Sequence, residues 1–255
     1  MLSPRNFDEV IVIDRETGNI TTRLGEDDAH DILNEQHNPA YLETEDGNPA
    51  FLVADSENDR IVEYTCTERV DGECEWALTW EIGTDGQLDW PRDANRLPNG
   101  NTLITDSLNN RVIEVTPTGR IVWETTARWA PFSAERVVHG NDGVRSPTMQ
   151  DLGVEGSYGV RGSAGVAPGT GDSRTFPQWL RATFGGVPVI NGLATDLADT
   201  WAGAVPWIRP PWIAPWSLVY LVAALLVGII WGASEGVYQR RRIEDRVRRV
   251  SARVR

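Results

Sequence analysis

The chain contains no lysine. All 24 of its basic residues are arginine, set against 37 Asp and Glu, for a formal net charge of −13. A dense carboxylate shell of this kind holds water and counter-ions, which suits an extreme halophile working in very high salt; an acidic protein of a high-GC genome is the competing reading. The arginines form no patch in the globular part, so nucleic acid is excluded as a partner. The first 20 residues lack both a basic n-region and an apolar h-region, which excludes a secretory signal there. Cysteine is scarce as well: there are two, Cys66 and Cys74, flanking a hairpin tip in CTERVDGEC. Outside a cell so close a pair is more often a disulfide than two free thiols. A metal site is excluded there because no other soft ligand lies nearby.

Charge is missing altogether from 210–234, which includes WSLVYLVAALLVGIIWGA. As a helix, residues 215–233 would extend roughly 28 Å, close to the hydrocarbon thickness of a bilayer. Trp207, Trp212 and Trp216 stand at one end and Trp231 at the other, as interface anchors do. A buried core helix is the competing reading. Residues 210–236 are expected to be a single membrane-spanning helix. Beyond it, residues 235–255 hold eight arginines and three acids, a net +5 that leaves −18 on the rest. The arginine-rich 237–255 is expected to be a cytoplasmic tail, with the acidic bulk outside.

What is abundant is repetition. LVADSENDRIVEY (Leu52 to Tyr64) matches LITDSLNNRVIEV (Leu103 to Val115) at a constant offset of 51 residues. Leu, Asp, Ser, Asn, Arg and Glu recur identically. Each copy follows a Gly-containing turn (EDGNPA, LPNGNT) and precedes a further strand (CEWALTWEI, GRIVWET). Short antiparallel strands with turn signals in units of this length are the pattern of propeller blades. The repeated Asp-Ser-x-Asn reads as a turn cap and the repeated Arg and Glu as a structural ion pair. The expectation is an all-β partial β-propeller over 1–138. AERV at 134–137 echoes ANRL at 94–97 and would be the innermost strand of a further blade.

That makes about three blades, whereas a closed ring needs at least four. The chain begins in mid-blade, and an acidic domain without a signal does not cross a membrane unaided. Further blades and an export signal are therefore expected upstream. Residues 139–173, rich in Gly, Ser and Pro, read as a flexible linker. Residues 174–209 offer short amphipathic stretches next to the membrane.

Chemistry is expected at the blade entrances. QHNPAYL and PRDANRL lead successive innermost strands, so His37 and Arg92 fall at matching positions, with Phe132 third. Innermost strands line a propeller's channel, so these side chains should converge. Arg5, in the turn SPRN, belongs to the preceding blade. His30 and His139 read as solvated.

LSPRNFDEVIVID followed by EQHNPAYL resembles the arylsulfotransferases that work without a nucleotide sulfate donor. In that family a Ser-Ser-Arg turn leads a strand and a Gln-His pair opens the next blade. RLPNGNTLITDS and GRIVWE are similar to its blade phrases, and membrane-anchored haloarchaeal relatives carry such a tail. The likeness covers residues 1 to about 138. It implies a six-bladed ring and a catalytic histidine, His37, that is transiently sulfated before a phenol takes the group. It implies that Arg5 holds the sulfuryl oxygens; Arg92 joins it by position. Aryl sulfates and phenols would be the small-molecule partners, and no cofactor or metal is required. Two departures stand out: Pro4 replaces the second Ser, and Asn6 stands where the family more often has His. The family's further channel histidines lie in blades this chain lacks, so catalysis is expected of a full-length parent. A non-catalytic binding or scaffold propeller is the alternative.

Overall fold

The computed structural model describes residues 1–70, 72–83, 87–138, 146–162, 164, 176–184, 186–188, 190–210 and 213–251. The chain divides into two units, Met1–Ala214 and Pro215–Arg255.

The first unit is mostly β. A two-stranded sheet pairs β1 (Glu9–Ile13) with β2 (Ile20–Gly25). The second sheet builds outward from β3 (His37–Glu43) through β4 (Pro49–Asp55), β5 (Arg60–Val70) and β6 (Glu73–Ile82). The third runs through β7 (Pro91–Arg96), β8 (Thr102–Asp106), β9 (Arg111–Val115) and β10 (Ile121–Thr126). Pairing within this series is antiparallel throughout. No closed ring of sheets is present among the described residues.

The second and third sheets turn their first hairpin in the same way. Gly47 and Gly100 take φ of +82° and +84° and donate to the carbonyls of Thr44 and Leu97. Side chains with a Cβ rarely adopt that region, so the glycine in EDGN and PNGN fixes the turn.

Every residue of β4, β8 and β9 is buried, which means both faces of these strands are covered. Alternate side chains of β4 go opposite ways. Phe51 and Val53 pack with Val10 and Leu24 of the first sheet. Leu52 and Ala54 pack with Ala94, Ile104 and Ile113 of the third. The second sheet is thus sandwiched between its sequence neighbours. Burial on both sides explains why β4 reads as a near-continuous apolar run.

The 51-residue repeat reaches further back than the matching phrases. Asp8, Asp59 and Asn110 stand 51 residues apart and share a left-handed backbone, with φ of 52°, 53° and 54°. Each follows a single helical turn or bend and accepts, through its side-chain Oδ1, an amide proton from the segment that follows its sheet. Glu35 N–H donates to Asp8 at 2.8 Å, Trp90 N–H to Asp59 at 2.8 Å, and Ala130 N–H to Asn110 at 3.1 Å. Those three donors are left-handed too, with φ of 46°, 50° and 49°. Asp and Asn tolerate this conformation best among non-glycine residues.

Part of the stretch expected to be a flexible linker is built into the fold. Within 146–162, Met149 and Val160 are fully buried in the core between the second and third sheets. The Met149 N–H donates to Glu63, and β11 (Gly156–Tyr158) adds to β6 in parallel. Composition signalled mobility here, but a buried carboxylate needing a donor anchors the segment. His139 and residues 165–175 lie outside the described residues. His30 is 55 % exposed on its side chain, with Nε2 3.4 Å from Asp8. The expected cysteine bond is present between Cys66 and Cys74. The amphipathic stretches form α1 (Phe176–Phe184) and α2 (Asn191–Ile208), joined by an Arg181–Asp199 ion pair and a Phe176–Trp201 ring contact at 4.7 Å.

The second unit is one helix, α3 (Pro215–Ser251). Its segment Trp216–Arg240 contains an 18-residue stretch with a mean hydropathy of 2.1, none of it buried. It is long and apolar enough to cross a membrane. The helix runs on without a break into the arginine-rich stretch expected as a tail.

Candidate functional site

His37, Arg92 and Phe132, expected to converge, do so. His37 begins β3 and Arg92 is the second residue of β7, at equivalent positions of adjacent sheets. The His37 ring meets Trp90 edge-on at 5.8 Å and Phe132 at 6.0 Å. The Arg92 guanidinium carbon lies 3.9 Å from the centre of Trp90 and 5.2 Å from that of Phe132. Two aromatic rings therefore hold a guanidinium beside an imidazole, a cation–π arrangement that strengthens away from water. Arg92 makes no ion pair among the described residues, and its buried Nε has no hydrogen-bond partner.

The tautomer of His37 follows from its neighbour. Nδ1 lies 2.8 Å from Ser56 Oγ, which is 2.6 Å from the carbonyl of Pro91. That carbonyl only accepts, so the serine hydroxyl donates to it and receives the Nδ1 proton. The unprotonated lone pair is then on Nε2. Burial first, then the charges of Arg5 and Arg92, push the imidazole down from 6.5 to about 4. His37 is neutral at pH 7, the state a nucleophile needs. Burial and the like charge of Arg5 also lower Arg92.

Arg5 sits in the single helical turn Arg5–Phe7 ahead of Asp8, whose clamp on Glu35 brings the chain leading to His37 alongside. Its guanidinium is paired with Glu35, while its buried Nε is unsatisfied. An anion at the site would share Arg5 with that carboxylate. Two guanidinium groups against one carboxylate leave the surroundings of His37 net positive.

Ser56 and Trp90 were not singled out by the sequence as site residues. Ser56 belongs to the repeated Asp-Ser pair and was read as a turn cap. Its repeat partner Ser107 makes the same bond, to the Pro131 carbonyl at 2.7 Å. Among the described residues a histidine stands within reach in the second sheet alone, so repetition concealed the second role. Trp90 adjoins Arg92 in DWPR, and its proximity to a candidate site residue was the available signal.

No group of His, Cys, Asp and Glu suited to a metal ion occurs among the described residues. No family model matches the chain, and no curated protein matches it. Among solved structures it is similar to a protein of unknown function from Bacteroides caccae, at 14 % identity and a TM-score of 0.28. That match covers 51 % of this chain and 58 % of the other. Fold and site together define a mostly β protein with one C-terminal apolar helix and a cationic, aromatic-walled histidine site.

Proposed function

We propose that the three sheets are consecutive blades of a β-propeller. We propose further that the site at their inner ends transfers a sulfuryl group from an aryl sulfate to a phenol through His37. The observation that carries the chemistry is the Ser56–His37 bond, which leaves a neutral imidazole with its free lone pair on Nε2, among two guanidinium groups.

His37 Nε2 attacks the sulfur, the aryl O–S bond breaks, and the phenolate leaves with the bond's electrons. The N-sulfo imidazolium keeps its Nδ1 proton, held by Ser56. An acceptor phenol then attacks the sulfur and gives up its proton to water or to the departed phenolate. The N–S bond breaks and neutral His37 returns. Arg92, and Arg5 shared with Glu35, stabilise charge on the sulfuryl oxygens. Trp90 and Phe132 offer ring faces to an aryl group. The blade reading is supported by the repeated left-handed clamps and the face-to-face packing of consecutive sheets.

The apolar helix would anchor the protein in a membrane. The Cys66–Cys74 bond fits placement of the sheets on the oxidising side, with the arginine-rich end in the cytoplasm.

The test is turnover of nitrophenyl sulfate with a phenol acceptor, on full-length protein across a salt series. Release of nitrophenol that requires the acceptor, and its loss in His37→Ala, are expected. A binding or scaffold propeller gives no release at any salt.

A further inference from the structure

One face of the third sheet repeats a face that is sealed elsewhere in the same molecule. On the second sheet Leu42, Leu52, Ile61 and Trp80 are fully buried against the third. The repeat carries them onto Leu97, Leu103, Val112 and Trp123, on the far face of the third sheet. There Trp123 is 38 % exposed where Trp80 is 0 % exposed, beside an open trough of about 1000 Å³.

That face has the cover of one short segment. Residues 134–138 repeat the end of β7 and the two residues after it, with Ala134 and Arg136 standing for Ala94 and Arg96. Arg136 pairs with Glu114 and lies 4.6 Å over Trp123, as Arg96 pairs with Glu63 and lies 5.1 Å over Trp80. Val137 and Val138 are 98 % and 87 % exposed.

The other end of the series presents the complementary surface. Leu2, Ile11, Ile13 and Ile20 occupy the repeat positions of Ile104, Ile113, Val115 and Ile121, the side chains that seal the second sheet. Leu2 bridges to Ile11 as Ile104 pairs with Ile113. Yet Leu2 is 56 % and Ile20 47 % exposed, whereas Ile104 and Ile121 are 0 % and 4 %. Among the described residues the first sheet has no strand equivalent to β3 or β7. Residues 134–138 repeat the sequence of such a strand but belong to none of the three sheets.

We propose that a second copy of this chain closes both ends. The first sheet of each copy packs on the third sheet of the other, and Ala134–Val138 becomes its innermost strand. The repeat fixes the register: Ala134 lies opposite Leu2, as Ala94 lies opposite Ile104. Two such contacts about a two-fold axis join two sets of three sheets into a ring of six, within the size range of closed propellers. Closure would also bury the Arg136–Glu114 pair as Arg96–Glu63 is buried. The inference rests on the blade reading and not on the chemistry at His37, so either can fail alone.

The test uses the full chain in detergent micelles, from low to molar salt. Light scattering should give two copies per particle. Both native cysteines are engaged with each other, so Leu2→Cys and Ala134→Cys proteins can be mixed under mild oxidation. A disulfide-linked pair should form only when both variants are present. Trp123→Asp should give single copies with unchanged far-ultraviolet circular dichroism; should it not fold, the cross-link decides. One copy per particle with Trp123 shielded from quenchers would mean that other blades of the same chain seal the face, and would overturn the proposal. So would paired particles without the Leu2–Ala134 cross-link, which would place the contact on the helices.

Discussion

Glu63 on β5 and Arg96 on β7 form an ion pair at 2.7 Å in which both side chains are wholly buried. The pair joins the second and third sheets, and Glu63 also accepts the Met149 N–H at 2.7 Å. Removing one partner of a buried pair leaves an uncompensated charge, which costs about 3–5 kcal/mol. Arg96→Ala should lower unfolding stability by that order in denaturant titration. The repeat-related Arg136–Glu114 pair has an Arg136 side chain 34 % exposed. In single copies of the chain Arg136→Ala should cost about 1 kcal/mol or less. Equal losses from the two variants there would contradict the contrast between a sealed and an open face.

Asp59 stands where the next repeat has Asn110, and the two accept the same amide bond. Burial first, despite the Trp90 bond, and then the nearby carboxylates of Asp106 and Glu57 push Asp59 up from 3.8 to about 7. A carboxyl raised in this way holds its proton more tightly folded than unfolded. Its folded state gains stability as pH falls from about 7 toward 4 and loses it as pH rises. Asp59→Asn should therefore stabilise the protein at pH 8, by on the order of 1 kcal/mol, with the gain vanishing near pH 4. Thermal unfolding at the two pH values checks this, and a variant less stable at pH 8 would contradict it.

His37 moves the opposite way, because its imidazole is lowered from 6.5 to about 4. Turnover should stay level as pH falls through 6.5 and drop only near pH 4, where the nucleophile takes its proton. Arg92→Ala removes one of the charges that lower it, so the acid limb should move upward. It should also slow turnover by about 10²-fold or more if Arg92 steadies the sulfuryl oxygens. A limb that stays in place would mean that Arg92 does not act on His37.

Ser56→Ala tests positioning. Without the hydroxyl, either imidazole nitrogen can carry the proton, and the Nε2 lone pair is present only part of the time. A loss of roughly 10- to 100-fold is expected in kcat with KM little changed, the scale seen for partners that orient metal-bound imidazoles. Ser56→Thr, which keeps the hydroxyl, should recover most of it.

The sheets were legible where sequence repeats almost verbatim, as at LVADSENDRIVEY and LITDSLNNRVIEV. The first sheet shares their offset but little of their identity: Asp8 recurs as Asp59 but is replaced by Asn110 in the third copy. Backbone conformation, not side-chain similarity, carries that third repeat. His37, Arg92 and Phe132 were legible because equivalent positions of successive repeat units meet at one place. Ser56 was hidden by its own repetition, and the engagement of Arg5 with Glu35 by their separation of 30 positions. Met149 was missed because composition describes a chain's freedom, whereas a single buried carboxylate decides where it is pinned.

The claim that His37 carries the sulfuryl group is tested most directly by stopping the reaction with nitrophenyl sulfate before any acceptor is added, then mapping the peptides by mass spectrometry. Full-length protein should yield a sulfated peptide containing His37, with the modification on the imidazole and lost on addition of phenol. His37→Ala should yield none. Sulfation elsewhere, or nitrophenol release that persists in His37→Ala, would contradict the account.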